Sequence, residues 1–205
     1  TSATITALDS TGSVGTYTSI TIGADGLGLI SYFDDTNDDL KVAHCSNTNC
    51  SASTITTLDS TGIVGYWTSI TIGADGLGLI SYYDTTNDDL KVAHCSNTNC
   101  TSATITTLDS NGDVGRHTSI TIGADGLGLI SYYDTSTDLE VAHCSNTNCS
   151  ASTITTLDST VIVGYWTSIT IGADGLGLIS YYDATNDDLK VAHCSNTNCT
   201  SATIT

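Results

Sequence analysis

Five kinds of residue recur in this chain at spacings that could do chemistry. Eight cysteines fall as four pairs, Cys45/Cys50, Cys95/Cys100, Cys144/Cys149 and Cys194/Cys199, each enclosing Ser-Asn-Thr-Asn. An even number at fixed spacing predicts disulfides, hence an oxidising compartment. A loop this short can bring the two α-carbons within bridging distance if it is a hairpin connection. By chain-entropy arithmetic each closed loop stabilises by roughly 2 kcal/mol. Zinc is the rival use of paired thiols, but each pair stands alone in its own stretch of chain, and lone pairs make poor tetrahedral sites.

Acidic turns are the second kind. Asp34, Asp38 and Asp39 lie within six residues, and Asp84, Asp88 and Asp89 repeat the theme, as do Asp183, Asp187 and Asp188. Calcium takes such clusters of hard oxygens; hairpin turns in which Asp and Asn bond their own backbone use the same residues. The third copy, Asp134 to Asp138, is one residue shorter and loses two of these groups, which weakens the calcium reading. Calcium is the one cofactor the sequence suggests.

His44, His94, His143 and His193 each precede a bridging cysteine. One per repeat, they cannot converge on a single metal and read as packed structural side chains. Asn49, Asn99, Asn148 and Asn198 each begin an Asn-Cys-Ser or Asn-Cys-Thr sequence, which fits the N-glycosylation pattern formally; the other reading is that they build the disulfide loop. Tyr66, Trp67, Tyr165 and Trp166 occupy the most variable place in the repeat, held elsewhere by Thr16-Tyr17 and Arg116-His117. Aromatic pairs there could stack on sugar rings, seal a contact between protomers, or cap the edge of the core. No nucleophile with its base stands out, so no catalytic residue is assigned.

The elements that position these residues follow from one stretch. TSITIGADGLGLISY occurs at 18–32 and returns unchanged at 68–82, 118–132 and 167–181. Apolar residues alternate through Ile20 and Ile22, a Gly23-Ala24-Asp25-Gly26 turn follows, and a second apolar run leads out, which predicts a β-hairpin. A β-branched run, TITAL at 4–8 and TITTL at 54–58, 104–108 and 153–157, predicts another strand, and Leu40 to Cys45 a further one. The unit thus holds four short strands in about 50 residues, and there are four units. Repetition at this period with antiparallel meanders predicts an all-β, β-propeller-type array of four-stranded blades. The middle strand GLISYYD is apolar or aromatic on both faces, as expected where blade packs on blade.

The TIT-type strand occurs five times, the fifth as SATIT at 201–205, and the hairpin four. The division that follows makes residues 1–9 an outer strand completing a preceding or neighbouring blade, with blades at 10–58, 59–108, 109–157 and 158–205. A spare strand at one end and a gap at the other predict head-to-tail association with copies of the same chain.

Four basic against 22 acidic side chains give a net charge of −18, which excludes nucleic acid as a partner. No apolar run approaches the length of a membrane span. No secretory signal is present; the chain starts at Thr1, so a leader could have been removed or lain upstream.

With DGLGLISYYD and DLKVAHC on the page, the unit resembles tandem repeats of about 50 residues in secreted bacterial proteins, of the form DGLPVISYYD followed by GDLKVAHC. Those repeats are similar to β-propeller blades of the sialidase-like kind. The resemblance implies an extracellular or cell-surface propeller and no one activity. Gly28, Gly78, Gly128 and Gly177 stand where such repeats show Pro, and Asp38 where they show Gly. Sialidases hold the substrate carboxylate with three arginines, whereas Arg116 is alone here, so that activity is not implied.

Together these features predict a noncatalytic, extracellular structural protein that assembles end to end into a fibre or surface layer, and not an enzyme. The alternative is a carbohydrate-binding or adhesive propeller with its sites at the Tyr/Trp positions.

Overall fold

A computed structural model describes residues 4–205. It contains sixteen strands and, among the described residues, no helix. The first sheet is β1 (Val14–Ile22), β2 (Gly28–Asp34), β3 (Asp39–Cys45) and β4 (Ser53–Asp59). The second is β5 (Val64–Ile72), β6 (Gly78–Asp84), β7 (Asp89–Cys95) and β8 (Ala103–Asp109). The third is β9 (Val114–Ile122), β10 (Gly128–Asp134), β11 (Asp138–Cys144) and β12 (Ser152–Asp158), and the fourth β13 (Tyr165–Ile171), β14 (Gly177–Asp183), β15 (Asp188–Cys194) and β16 (Ala202–Ile204). Each sheet is an antiparallel meander in chain order. These are blades of a β-propeller, and the first strands β1, β5, β9 and β13 adjoin one another around its axis.

Residues 4–9 form no strand, and residues 1–3 of the expected outer strand lie outside the described residues. Asp9 nevertheless occupies the place its counterparts hold between blades, accepting a hydrogen bond from the Tyr32 hydroxyl at 2.7 Å.

Three equivalent cores lie between blades. In the first, Leu29, Leu40 and Val42 of one blade meet Val64, Ile70, Ile80 and Tyr82 of the next. The second places Leu79, Leu90 and Val92 against Val114, Ile120, Ile130 and Tyr132, and the third Leu129, Leu139 and Val141 against Val163, Ile169, Ile179 and Tyr181. Alternation on the middle strand explains this, because Leu79 and Tyr83 point one way and Ile80 and Tyr82 the other. Burial of both faces replaces the usual solvated face of an antiparallel sheet.

Two glycines are fixed by these approaches. A Cβ on Gly78 would sit 2.8 Å from Cys95 Sγ and 2.9 Å from Leu29 Cδ2, which is why the position carries no side chain. Gly65 combines a φ of 107° with a would-be Cβ 2.9 Å from Leu40 Cα across the interface, so its backbone is both turned and crowded. Four disulfides, Cys45–Cys50, Cys95–Cys100, Cys144–Cys149 and Cys194–Cys199, each with α-carbons 4.9 Å apart, close the loop between third and fourth strands. They point to an oxidising compartment. Among the described residues no helix is long and apolar enough to cross a membrane.

Candidate functional site

The inner strands carry the site. Each begins with an irregularity: pairing with the second strand slips between Tyr66 and Ser69 in blade 2, with equivalent slips at Thr16/Ser19 in blade 1 and Tyr165/Ser168 in blade 4. At this bulge Tyr17, Trp67, His117 and Trp166 adopt φ values of 53°, 49°, 56° and 51°. A bulky residue at positive φ costs energy and persists only where its surroundings hold it. A bulge re-aims a side chain, and here all four turn toward the axis. With Thr18, Thr68, Thr118 and Thr167 they line one cavity of about 270 Å³.

The axial rings form a partial circle. Tyr17 and Trp67 have centroids 5.6 Å apart, Trp67 and His117 4.5 Å, and His117 and Trp166 5.7 Å. Among the described residues no ring contact joins Trp166 back to Tyr17. Burial, and then the neighbouring Arg116 charge, lowers the His117 pKa to about 4, so the imidazole is neutral at pH 7. Its Nδ1 is buried with no hydrogen-bond partner.

The residue before each axial ring points the other way, between blades. Tyr66 packs on Phe33 at 4.4 Å and Tyr165 on Tyr133 at 4.1 Å. At the remaining junction Arg116 lies over the Tyr83 ring at 5.4 Å and donates through Nε to Asp113 at 2.8 Å. The Tyr83 hydroxyl lies 2.6 Å from Asp88 Oδ1 and 2.8 Å from Asp113 Oδ1, so these two carboxylates are one hydroxyl apart, and the Tyr83 ring lies 5.5 Å from that of Trp67. Burial, then the two carboxylates, holds the Tyr83 phenol well above its usual range. Sequence reasoning missed this constellation: Phe33 lacks the hydroxyl, and Ile63 and Ile162 stand where Asp113 does.

The expected aromatic site is thus divided. Trp67 and Trp166 face the axis, joined by Tyr17 and His117, while Tyr66 and Tyr165 are interblade packing. All four of the expected residues lie in or at the edge of the innermost strands. The signal was Val-Gly followed by two residues, of which the second reaches the cavity.

The acidic turns are closed on themselves. Asp34 Oδ1 accepts from the Thr36 and Asn37 amides at 3.0 and 3.2 Å, and Oδ2 accepts from Asn37 Nδ2 and lies 2.9 Å from Lys41 Nζ. Asp84 and Asp183 repeat the pattern. Asp38, Asp88 and Asp187 have φ near 60° at the turn, and Asp39, Asp89 and Asp188 open the third strands. Among the described residues no three His, Cys, Asp or Glu side chains are grouped to hold a metal ion. His44, His94, His143 and His193 each place Nε2 2.8 Å from the hairpin carboxylates Asp25, Asp75, Asp125 and Asp174. Asn49, Asn99, Asn148 and Asn198 are exposed within the disulfide loops.

No protein-family description matches the chain, and no characterised protein matches it by sequence. Its fold is similar to that of solved glycosidases. An α-L-arabinofuranosidase from Lactobacillus brevis matches with a TM-score of 0.59 at 11% identity, covering 94% of this chain and 73% of that one. A second, a GH43 enzyme from Clostridium thermocellum, gives 0.59 at 11% over 94% and 72%. The exo-β-1,3-galactanase of Phanerochaete chrysosporium, solved with galactose, gives 0.59 at 11% over 95% of this chain and 48% of its own.

These matches correct two expectations. The noncatalytic structural protein drawn out end to end has no counterpart in them, and the expectation of no enzyme fails with it, because the comparable folds belong to carbohydrate-active enzymes. The physical reason is that near-identity of the repeats does not make a uniform scaffold: the dipeptide is Thr16-Tyr17 in blade 1, Arg116-His117 in blade 3 and Tyr-Trp in blades 2 and 4, so the inner strands present a mixed set of side chains where the blades converge.

Proposed function

We propose that this chain is a carbohydrate-active propeller that takes a saccharide at the axial cavity. The observation that carries the reading is the ring of Tyr17, Trp67, His117 and Trp166, each held in left-handed backbone and aimed into one cavity with a threonine beside it. Flat apolar faces interleaved with hydroxyls suit a sugar ring, whose C–H face stacks on aromatics and whose hydroxyls need hydrogen-bond partners. A neutral His117 with an unpaired Nδ1 can take a ligand hydroxyl after a small rotation. The similar folds include an α-L-arabinofuranosidase and an exo-β-1,3-galactanase solved with galactose, which supports neutral sugars as first candidates.

Hydrolysis calls for two carboxylates facing one glycosidic bond. Asp88 and Asp113, which meet at the hydroxyl of Tyr83 next to the cavity residue Trp67, are the candidate pair, with Arg116 bonded to Asp113. The test is a screen of arabinan- and galactan-derived oligosaccharides that follows tryptophan fluorescence for binding and chromatography for products. Saturable quenching supports the sugar site, and product formation abolished by Asp113→Asn supports the acid pair. Neither quenching nor product across the screen would reject the proposal.

A further inference from the structure

The same half-interfaces that are buried three times inside the chain lie open twice at its limits. Ile70, Ile120 and Ile169 are 6%, 6% and 7% exposed, whereas their counterpart Ile20 is 65% exposed. On the other side Leu40, Leu90 and Leu139 are fully buried, whereas Leu189 is 80% exposed. A cavity of about 240 Å³ opens on the first blade against Leu8, Val14, Ile30 and Tyr32, where a preceding blade would insert its leucines. Polar complements are open in the same way. Internal junctions carry a serine–threonine bond, Thr68 to Ser31 at 2.7 Å and Thr118 to Ser81 at 2.9 Å, and a backbone bond from Val64 N to Asp38 O at 3.0 Å. Their counterparts Thr18 on the first blade and Ser180 on the last face no blade.

We propose that these two faces together take one further repeat of this sequence unit as a fifth blade. Each face is the half of an interface whose other half is printed three times in the chain, so the chemistry of the occupant is fixed: it must present Leu, Leu and Val on one side and Val, Ile, Ile and Tyr on the other. The chain lays 94% of itself on arabinofuranosidases whose propellers have five blades, and the axial circle lacks one ring contact, between Trp166 and Tyr17. A whole second copy offers the same surfaces and is the occupant the test below separates from a single blade. The occupant would also bring its own axial residue and complete the cavity wall.

The test extends the chain beyond Thr205 with a copy of residues 57–106, whose register continues the final strand. In the extended monomer, amide exchange in β1 and β15 is expected to slow at least tenfold relative to the four-blade chain. Unchanged exchange in both strands overturns the proposal, and so does a four-blade chain that sediments as a dimer with both strands already protected. Leu189→Asp provides the second reading: it should leave the four-blade midpoint within about 2 °C and lower that of the extended chain by several degrees. Equal small shifts in the two backgrounds would show that no blade covers Leu189.

Discussion

At two junctions of this propeller one buried position carries opposite charges, Lys91 in one and Glu140 in the other, and the contrast shows what the repeat can and cannot tolerate. Between blades 1 and 2, Lys91 Nζ lies 2.7 Å from Asp59 and 3.3 Å from Asp84, and the Tyr82 hydroxyl donates to Asp59 at 2.7 Å. All of these groups are nearly excluded from water. Between blades 2 and 3 the lysine is replaced by Glu140, which faces Tyr132, Asp109 and Asp134 and accepts a hydrogen bond from Thr156 at 3.0 Å. Burial, then repulsion by Asp109 and Asp134, raises the Glu140 pKa, whereas hydrogen bonds from Lys91 and Tyr82 outweigh the burial of Asp59 and lower its pKa. The same packing therefore surrounds a satisfied ion cluster in one place and an acid-only cluster in the other. Apolar matching sets the fold, and the buried charge modulates its stability.

Breaking the satisfied junction should cost most. Lys91→Ala leaves Asp59 and Asp84 buried without their cation and is expected to cost about 3–5 kcal/mol in denaturant unfolding. A weaker form of the same experiment is Lys190→Ala in blade 4, where the cation is 22% exposed at the junction with blade 3 and bonds Asp158 at 2.9 Å; a loss of about 1–3 kcal/mol is expected. Equal losses at the two sites would show that burial does not set the worth of the cluster.

Repairing the acid junction should give the opposite sign. Glu140→Lys recreates the Lys91 arrangement and should stabilise by about 0.5–2 kcal/mol at pH 7. The smallest effect is the pH dependence of that gain. Glu140, with a raised folded pKa, binds its proton more tightly in the native state, so its contribution is favourable in acid and is lost as pH rises through the unfolded and then the folded value. Asp34 and Asp158, lowered to about 2, work the other way: their stabilisation is present above the ordinary carboxylate pKa and lost as pH falls toward about 2. Glu140→Gln should therefore be more stable than the parent at pH 7 and indistinguishable from it near pH 3, measured by thermal unfolding across that range.

Much of the fold was legible because its signals are local. The hairpin around Asp25-Gly26, the two-faced GLISYYD strand and the Cys-Ser-Asn-Thr-Asn-Cys loop each declare their structure within a few residues. The site was not, for a reason visible at Tyr66 and Trp67. Adjacent residues on a regular strand point to opposite faces, but which face becomes the axis depends on a bulge and on the curvature of the whole array. The constellation of Tyr83, Asp88, Asp113 and Arg116 joins positions up to 33 residues apart across a blade junction, and only one of the junctions assembles it.

The neighbouring pair Tyr66 and Trp67 also offers the most direct test of the sugar site. With an oligosaccharide found to bind, calorimetric titration of Trp67→Ala should show affinity reduced at least tenfold with unfolding stability nearly unchanged, whereas Tyr66→Ala should lose stability through its contact with Phe33 and keep its affinity. Undiminished binding by Trp67→Ala would contradict the account.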